Sequence, residues 1–166
     1  MARLIQVSDV AGYRETQAVP WWWYLIGLGV ASILAAEFVM GVGIAGWITF
    51  GLLLPIPVVI LLAMSRASVE VTSGDEPELV VGQAHLPVHF ISRTAVVPQS
   101  AKSAAMGRQF DPAAFLVHRP WVKDMVLVVL DDPDDPTPYW LFSAKKPAAV
   151  VAALNDHQRQ DKTEPN

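Results

Sequence analysis

Cysteine is absent from this chain. Thiol nucleophiles, disulfides, iron–sulfur clusters and thiolate zinc sites are excluded with it, and the lack of disulfides is compatible with a reducing compartment. A basic balance is missing too. Twelve Lys and Arg face 16 Asp and Glu, for a formal net charge of −4, the wrong sign for a field that holds bulk nucleic acid. No G-x-S-x-G, no H-E-x-x-H and no glycine-rich loop closing on Gly-Lys occurs, so no motif points to an enzyme. The expectation is a non-enzymatic protein without metal or cofactor.

Charge is scarcest between Val19 and Met64, where Glu37 is the only formally charged side chain. A bilayer core about 30 Å thick takes roughly 20 apolar helical residues to cross, and this run suffices for two crossings and a tight turn. The expected spans are Trp21–Met40 and Ile44–Met64, joined at Gly41-Val42-Gly43. Pro20 suits the first turn of a helix, and Trp21-Trp22-Trp23-Tyr24 resembles an aromatic belt at the headgroup level. Gly27, Ala31 and Ala35 make a strip of small side chains of the kind that brings helices close in lipid, within the hairpin or against a partner. Pro55 and Pro57 each lack an N–H and should bend the second span. Gly41 to Gly46 spells G-x-G-x-x-G, but it joins two apolar helices and the residue 20 positions beyond Gly46 is Arg66, not an acid, so no dinucleotide site is expected. The apolar run is too long for a signal-peptide core, and Leu34 before Ala35-Ala36 is the wrong residue for cleavage. Arg3, Arg14 and Arg66 flank the spans while the turn has no cation. The positive-inside rule then puts both tails in the cytoplasm of a multi-pass inner-membrane (plasma-membrane) protein. Glu37 falls about one turn from the outer end of the first span. An intramembrane carboxylate is a functional candidate, and the simpler reading is one that snorkels to the interface.

The expected organisation is an N-terminal cytoplasmic tail over 1–18, the helical hairpin over 19–64, a cytoplasmic β-rich domain over 67–157 and a disordered tail over 158–166. In the tail at the start, Leu4, Ile5, Val7 and Val10 suggest a strand or a surface-lying segment. After Arg66 the apolar period changes to two. Ala67–Thr72 and Glu78–Val81 read as strands around a turn, Gly82 as a bulge, and Ala84–Ile91 as an edge strand because Pro87 interrupts it. Ser100–Met106 reads as a helix closed by Gly107, and Asp111–Phe115 as a helical turn. Trp121–Leu130 and Tyr139–Ala144 read as strands, and Pro147–His157 as an amphipathic helix burying Val150, Val151 and Leu154. The fold class expected is therefore a two-helix membrane hairpin plus a small α+β, mainly β domain closed by a C-terminal helix. That layout is similar to bacterial pleckstrin-homology-like domains.

The domain offers one candidate ligand or partner surface: Arg119, Trp121, Asp134, Asp135, Tyr139 and Trp140. Arg119 has a cation to stack on an indole face or to pair with the Asp131–Asp135 loop. Arg66, Lys123, Lys145 and Lys146 suit anionic lipid, and the plainer alternative is aromatics in the core with solvated cations. The Asp loop lacks the Gly and Glu of a calcium-binding loop, having Pro136 and Phe142 in their places, and reads as a stiff turn. His85 and His89 stand about 13 Å apart on a strand, too far to share an ion. A hidden acid–base pair of His118 with Asp134 or Asp135 is the remaining enzymatic alternative, alongside a transporter subunit using Glu37.

Several separated segments carry a family resemblance: Val19-Pro20-Trp21-Trp22-Trp23, Gly82-Gln83-Ala84-His85-Leu86-Pro87, Arg119-Pro120-Trp121, and Asp132-Pro133-Asp134-Asp135-Pro136-Thr137-Pro138-Tyr139-Trp140 with Ser143 after it. Together they resemble an actinobacterial family of two-span integral membrane proteins described as a domain of unknown function. The resemblance implies an inner-membrane protein of a high-G+C Gram-positive bacterium, and it brings neither an activity nor site residues. Where mainly Arg is expected after Ser143, this chain has Lys145-Lys146, which keeps the charge and loses the planar fork. The function expected is an anchored module that binds a protein partner or lipid headgroups, as scaffold or accessory subunit. Its partners would be the bilayer, a membrane protein or a second copy, and not nucleic acid.

Overall fold

The computed structural model describes residues 12–74, 76–108 and 110–161. The expectations for Leu4, Ile5, Val7 and Val10 lie outside these residues. The chain divides into two compact units, Thr16–Ala67 and the remainder.

The first unit is a helical hairpin. Helix α1 (Trp21–Val42) runs two residues past the expected end, because Gly43 stops it instead: at φ 75° its N–H returns to the Val39 carbonyl, a left-handed cap that glycine adopts without a Cβ clash. The second apolar stretch starts at Gly46 and is broken, as the prolines require, into α2 (Gly46–Leu53) and α3 (Pro55–Ser65). These are two stretches long and apolar enough to cross a membrane, with 11% of each window buried within the structure. A core helix of a soluble protein would have most of that surface covered.

The strip of small residues is covered, and its Gly27 lies in the seam between α1 and α3. Ala31 and Ala35 are buried, and a Cβ on Gly27 would come 3.0 Å from Pro57 Cβ and 3.6 Å from Leu61 Cδ1. Polar atoms tie the base of the hairpin: Ser65 Oγ donates to the Leu61 carbonyl at 2.8 Å and accepts the Val19 N–H at 3.1 Å. Gly27→Leu is expected to force the helices apart and lower the stability of the solubilised hairpin by about 1–3 kcal/mol, the usual cost of overpacking. Gly29→Leu is the control, since nothing lies within 4 Å of its Cβ position. Thermal unfolding of the detergent-solubilised chain should separate the two variants.

The second unit holds two four-stranded sheets and a C-terminal helix. The first sheet has the order β1 (Tyr13–Thr16), β2 (Ser68–Val71), β3 (Glu78–Val81) and β4 (Ala84–Pro87). Gly82 is not a bulge. It opens the two-residue turn between the paired Val81 and Ala84 with φ 66°, as the first position of a type II′ turn demands. The expected strand to Ile91 ends at Pro87. A short 3-10 turn over Val88–Phe90 follows, and a separate strand β5 (Ile91–Val97) begins the second sheet. Helix α4 (Gln99–Met106) comes next. A Cβ on Gly107 would lie 2.8 Å from the Ser103 carbonyl, so the helix ends on a residue that has none.

Asp111–Phe115 makes a single turn: Asp111 Oδ1 takes the Ala113 N–H, as an N-cap does, and its carbonyl takes the Ala114 N–H; the turn goes no further because Phe115 already belongs to β6 (Phe115–Val117). Strands β7 (Asp124–Leu130) and β8 (Tyr139–Ala144) complete the sheet in the order β5-β7-β8-β6, with β6 parallel to β8 and the other pairs antiparallel. Trp121 to Lys123 precede β7 instead of forming its start. Helix α5 (Pro147–Asp161) continues past the expected end at His157, held by Gln158 Nε2, which donates to the Ile91 carbonyl, and by an Arg159–Asp156 pair at 3.1 Å. Residues 162–166 of the expected disordered tail lie outside the described residues.

One core joins the two sheets to α5: Val69, Val71, Leu79 and Val81 from the first sheet, Val126, Val128 and Phe142 from the second, and Val150 and Leu154 from the helix. The opposite face of the second sheet is covered as well, so that Met125, Leu141 and Ser143 are also buried. Strand β8 is an almost unbroken apolar run for that reason.

Candidate functional site

The register of the second sheet decides which chemistry meets which. Val97 pairs with Met125, Asp124 with Ala144, and Val117 with Phe142. The ends of β5, β6 and β8 and the start of β7 therefore lie at one end of the sheet. The segments leaving that end carry Lys102, His118, Arg119, Lys123, Lys145 and Lys146. At the other end, β7 leads through Asp131, Asp132, Asp134 and Asp135 into β8 at Tyr139.

The expected six-residue surface is thereby split. Arg119 donates its backbone N–H to Ser143 Oγ at 2.9 Å, whereas the Asp loop opens onto Tyr139, about 13 Å away along β8. Arg119 and the Asp loop do not pair. Trp140 belongs to neither end. It is 7% exposed and packs on Phe115 with ring centroids 4.5 Å apart. Tyr139 Oη accepts the Asp111 N–H at 2.8 Å, a structural bond beside the Asp loop. The alternative acid–base pair fails for the same reason, because His118 follows β6 at the basic end.

The Asp loop behaves as a turn. Asp132 Oδ1 accepts the Asp134 N–H at 2.9 Å and Asp135 Oδ1 the Thr137 N–H at 2.8 Å, the side-chain bonds that set Asx turns. A hydrogen bond from the Thr137 side chain, and then the one from its N–H, hold the Asp135 carboxyl below its ordinary pKa. Among the described residues no group of three or more His, Cys, Asp or Glu is placed to hold a metal ion. His85 binds Glu78 at 3.1 Å. Glu37 sits on an exposed face of α1, away from the seam with α3.

The basic end is the more built of the two. A cleft of about 250 Å³ opens there, lined by Trp121, Val122, Lys123, Asp124, Ala144 and Lys145. The Arg119 guanidinium stands 5.8 Å from the centroid of the Trp121 ring, within cation–π range. Its Nε is shielded from water and has no hydrogen-bond partner among the described residues. The two acids in the neighbourhood are occupied by backbone. Asp124 Oδ1 accepts the Gln99 N–H at 3.0 Å, and Glu15 accepts the N–H groups of Lys145 and Lys146 at 2.8 and 3.1 Å. Lys102 Nζ donates to the Val122 carbonyl at 2.7 Å, and burial lowers its pKa against the opposing pull of Asp124. Sequence reasoning found Arg119, Trp121, Lys123, Lys145 and Lys146. It missed Lys102, whose place follows from the packing of α4 on β7, and Glu15.

Burial, then the charge of Lys102, holds the His118 imidazole below its ordinary value. The unfolded chain takes up this proton at about pH 6.5, before the folded chain does. The stability from this group is therefore complete above about pH 6.5 and is lost as pH falls toward the folded value. The ring is largely open to solvent, so the effect is small. His118→Gln should flatten the decline in the urea midpoint between neutral and mildly acid pH, leaving the neutral value unchanged.

Neither the curated proteins nor the solved structures contain a match to this chain. The model of one family, described as protein of unknown function (DUF3093), matches residues 12–154, from the first strand into the last helix. The match takes in both the apolar hairpin and the two-sheet unit, and the chain belongs to this family of proteins of unknown function.

Proposed function

We propose that the chain is a multi-pass inner-membrane protein whose hairpin anchors a non-enzymatic cytoplasmic module, and that this module binds a protein partner or lipid headgroups as a scaffold or accessory subunit. The observation that carries the anchor is the surface of the hairpin: Trp21, Ile33, Met40, Trp47 and Leu52 are each 65% or more exposed, with Glu37 the one formal charge over the whole run. Such a surface escapes water by meeting lipid. Trp21 and Trp22 at one end and Trp47 at the other supply aromatic anchors for both interfaces. Arg14 and Arg66 beside the spans support cytoplasmic tails. Two sheets closed by a terminal helix fit the pleckstrin-homology-like layout, with parallel β6 as a departure from a plain meander. The resemblance to an actinobacterial two-span family supports the same address.

The separation of His118 from the Asp loop supports a binding role over acid–base chemistry. Ultracentrifugation of lysed cells tests the anchor: the chain should pellet with membranes and enter the supernatant only with detergent. Recovery in the supernatant without detergent overturns the reading. Glu37→Gln should leave insertion and partner recovery unchanged, and loss of function in that variant would favour a transporter-type subunit.

A further inference from the structure

We infer that the basic end of the second sheet is a docking surface for anionic phospholipid headgroups, centred on the cleft lined by Trp121, Lys123 and Lys145, with Arg119 beside Trp121. This rests on the anchored-module reading above and names the ligand of that module.

Four observations carry it. Lys102, Arg119, Lys123, Lys145 and Lys146 gather where three strand ends meet, and the two acids among them, Asp124 and Glu15, spend their carboxylates on backbone N–H groups. Five cations against these two acids leave this end with a positive balance. Arg119 stands beside the Trp121 ring with its guanidinium carbon 5.8 Å from the ring centroid, and a guanidinium is a planar fork suited to phosphate oxygens. Trp121 is half-buried at the rim of the cleft, with an apolar ring and a polar edge suited to the headgroup layer. Lastly, the far end of the same sheet carries Asp131, Asp132, Asp134 and Asp135, and the cations there are fewer: Arg93, and Arg159 already paired with Asp156. An anionic surface therefore attracts one end of the unit and repels the other, which orients it.

Lipid is favoured over other polyanions. In the sequence only Thr16 to Pro20 separate Glu15, which holds the Lys145 and Lys146 N–H groups, from Trp21 at the start of α1. A tethered module meets the bilayer at high effective concentration. Each cation near an anionic surface is worth about fivefold in partitioning.

The test uses the full chain in lipid nanodiscs. Because the protein has no cysteine, Pro120→Cys places one environment-sensitive dye at the basic end and Pro133→Cys one at the acidic end, both at exposed positions. In nanodiscs of mixed phosphatidylglycerol and phosphatidylcholine, whose surface is anionic, the Pro120→Cys dye should shift to the blue relative to pure phosphatidylcholine. Raising salt to about 1 M, where the Debye length is about 3 Å, should reverse the shift. Lys123→Gln/Lys145→Gln/Lys146→Gln should abolish it while far-ultraviolet circular dichroism is unchanged, and the Pro133→Cys dye should not respond. Equal shifts in both lipids, no shift, a response at both ends, or a shift that grows with protein concentration (basic end on the acidic end of a second copy) would each overturn the inference. Incorporation into nanodiscs without a response to phosphatidylglycerol defeats this inference alone, whereas failure to incorporate defeats the anchored reading with it.

Discussion

Phe142→Ala is expected to destabilise the two-sheet unit by about 3–5 kcal/mol, the usual cost of removing a buried aromatic ring. Phe142 is fully buried and pairs with Val126 on β7 and with Val117 on β6. It belongs to the core that also holds Val150 and Leu154 of α5. Removing the ring leaves a cavity that cannot collapse easily, since the strands on both sides are fixed by ladder hydrogen bonds. Domains of this size have total stabilities of roughly 5–15 kcal/mol, so the variant should lie near the edge of folding. Leu116→Ala is the contrast. Leu116 lies on β6 beside Val117, but it is 38% exposed and should cost about 1 kcal/mol or less. Urea unfolding of the solubilised chain, followed by tryptophan fluorescence, reads both, because Trp140 is buried against Phe115 in the same core. A Phe142→Ala midpoint within error of the parent would show that β8 is not the centre of the unit.

Strand β8 was also the most legible part of the domain. Tyr139-Trp140-Leu141-Phe142 between a proline-rich loop and Lys145-Lys146 admits few alternatives. The hairpin was equally open to reading, since absence of charge over so long a run leaves one inexpensive solution. Its seam followed from Gly27, Ala31 and Ala35, and its break from Pro55. Strand β5 was hidden because Ala84 to Ile91 carries an apolar pattern straight through Pro87, whereas the chain uses Val88–Phe90 to pass from one sheet to the other. Strand β6 was hidden because it is three residues long and finds a parallel partner beyond β7, information that no local pattern holds. Of the six residues grouped as a candidate surface, only some are neighbours in the fold. Arg119 and Trp121 do stand together, but grouping them with Asp134, Asp135 and Tyr139 treated neighbours in composition as neighbours in space. Register separates them by most of a strand length.

Glu15→Ala tests a contact that nothing local in the sequence announced. Helix α5 starts after Lys146, a residue with no side-chain acceptor for its own first turn, and Pro147 brings no N–H. The two N–H groups that lead into the helix are held from 130 positions away: Glu15 Oε1 takes the Lys145 N–H and Oε2 the Lys146 N–H, while Tyr13 Oη donates to Oε2 at 2.7 Å. A carboxylate beside a helix N-terminus is further favoured by the helix dipole, and here it joins β1 to the helix that closes the core. Glu15 is 9% exposed, so alanine leaves these donors poorly hydrated, and a loss of about 2–4 kcal/mol is expected. Glu15→Gln keeps one acceptor oxygen and should lose about half as much. Tyr13 supplies a readout independent of stability. Its phenol is raised well above its ordinary pKa, first by burial and then by the hydrogen bond and charge of Glu15. The stability tied to that phenol is present below about pH 10 and is lost as pH rises through the folded value. In Glu15→Gln the charge is lost and the hydrogen bond weakens to one with a neutral acceptor, while burial remains. Phenolate absorbance should then show one of the three tyrosines titrating earlier than in the parent, yet still later than a free phenol. A variant with parental stability and an unmoved Tyr13 would mean that the N-terminus of α5 is closed by something other than β1.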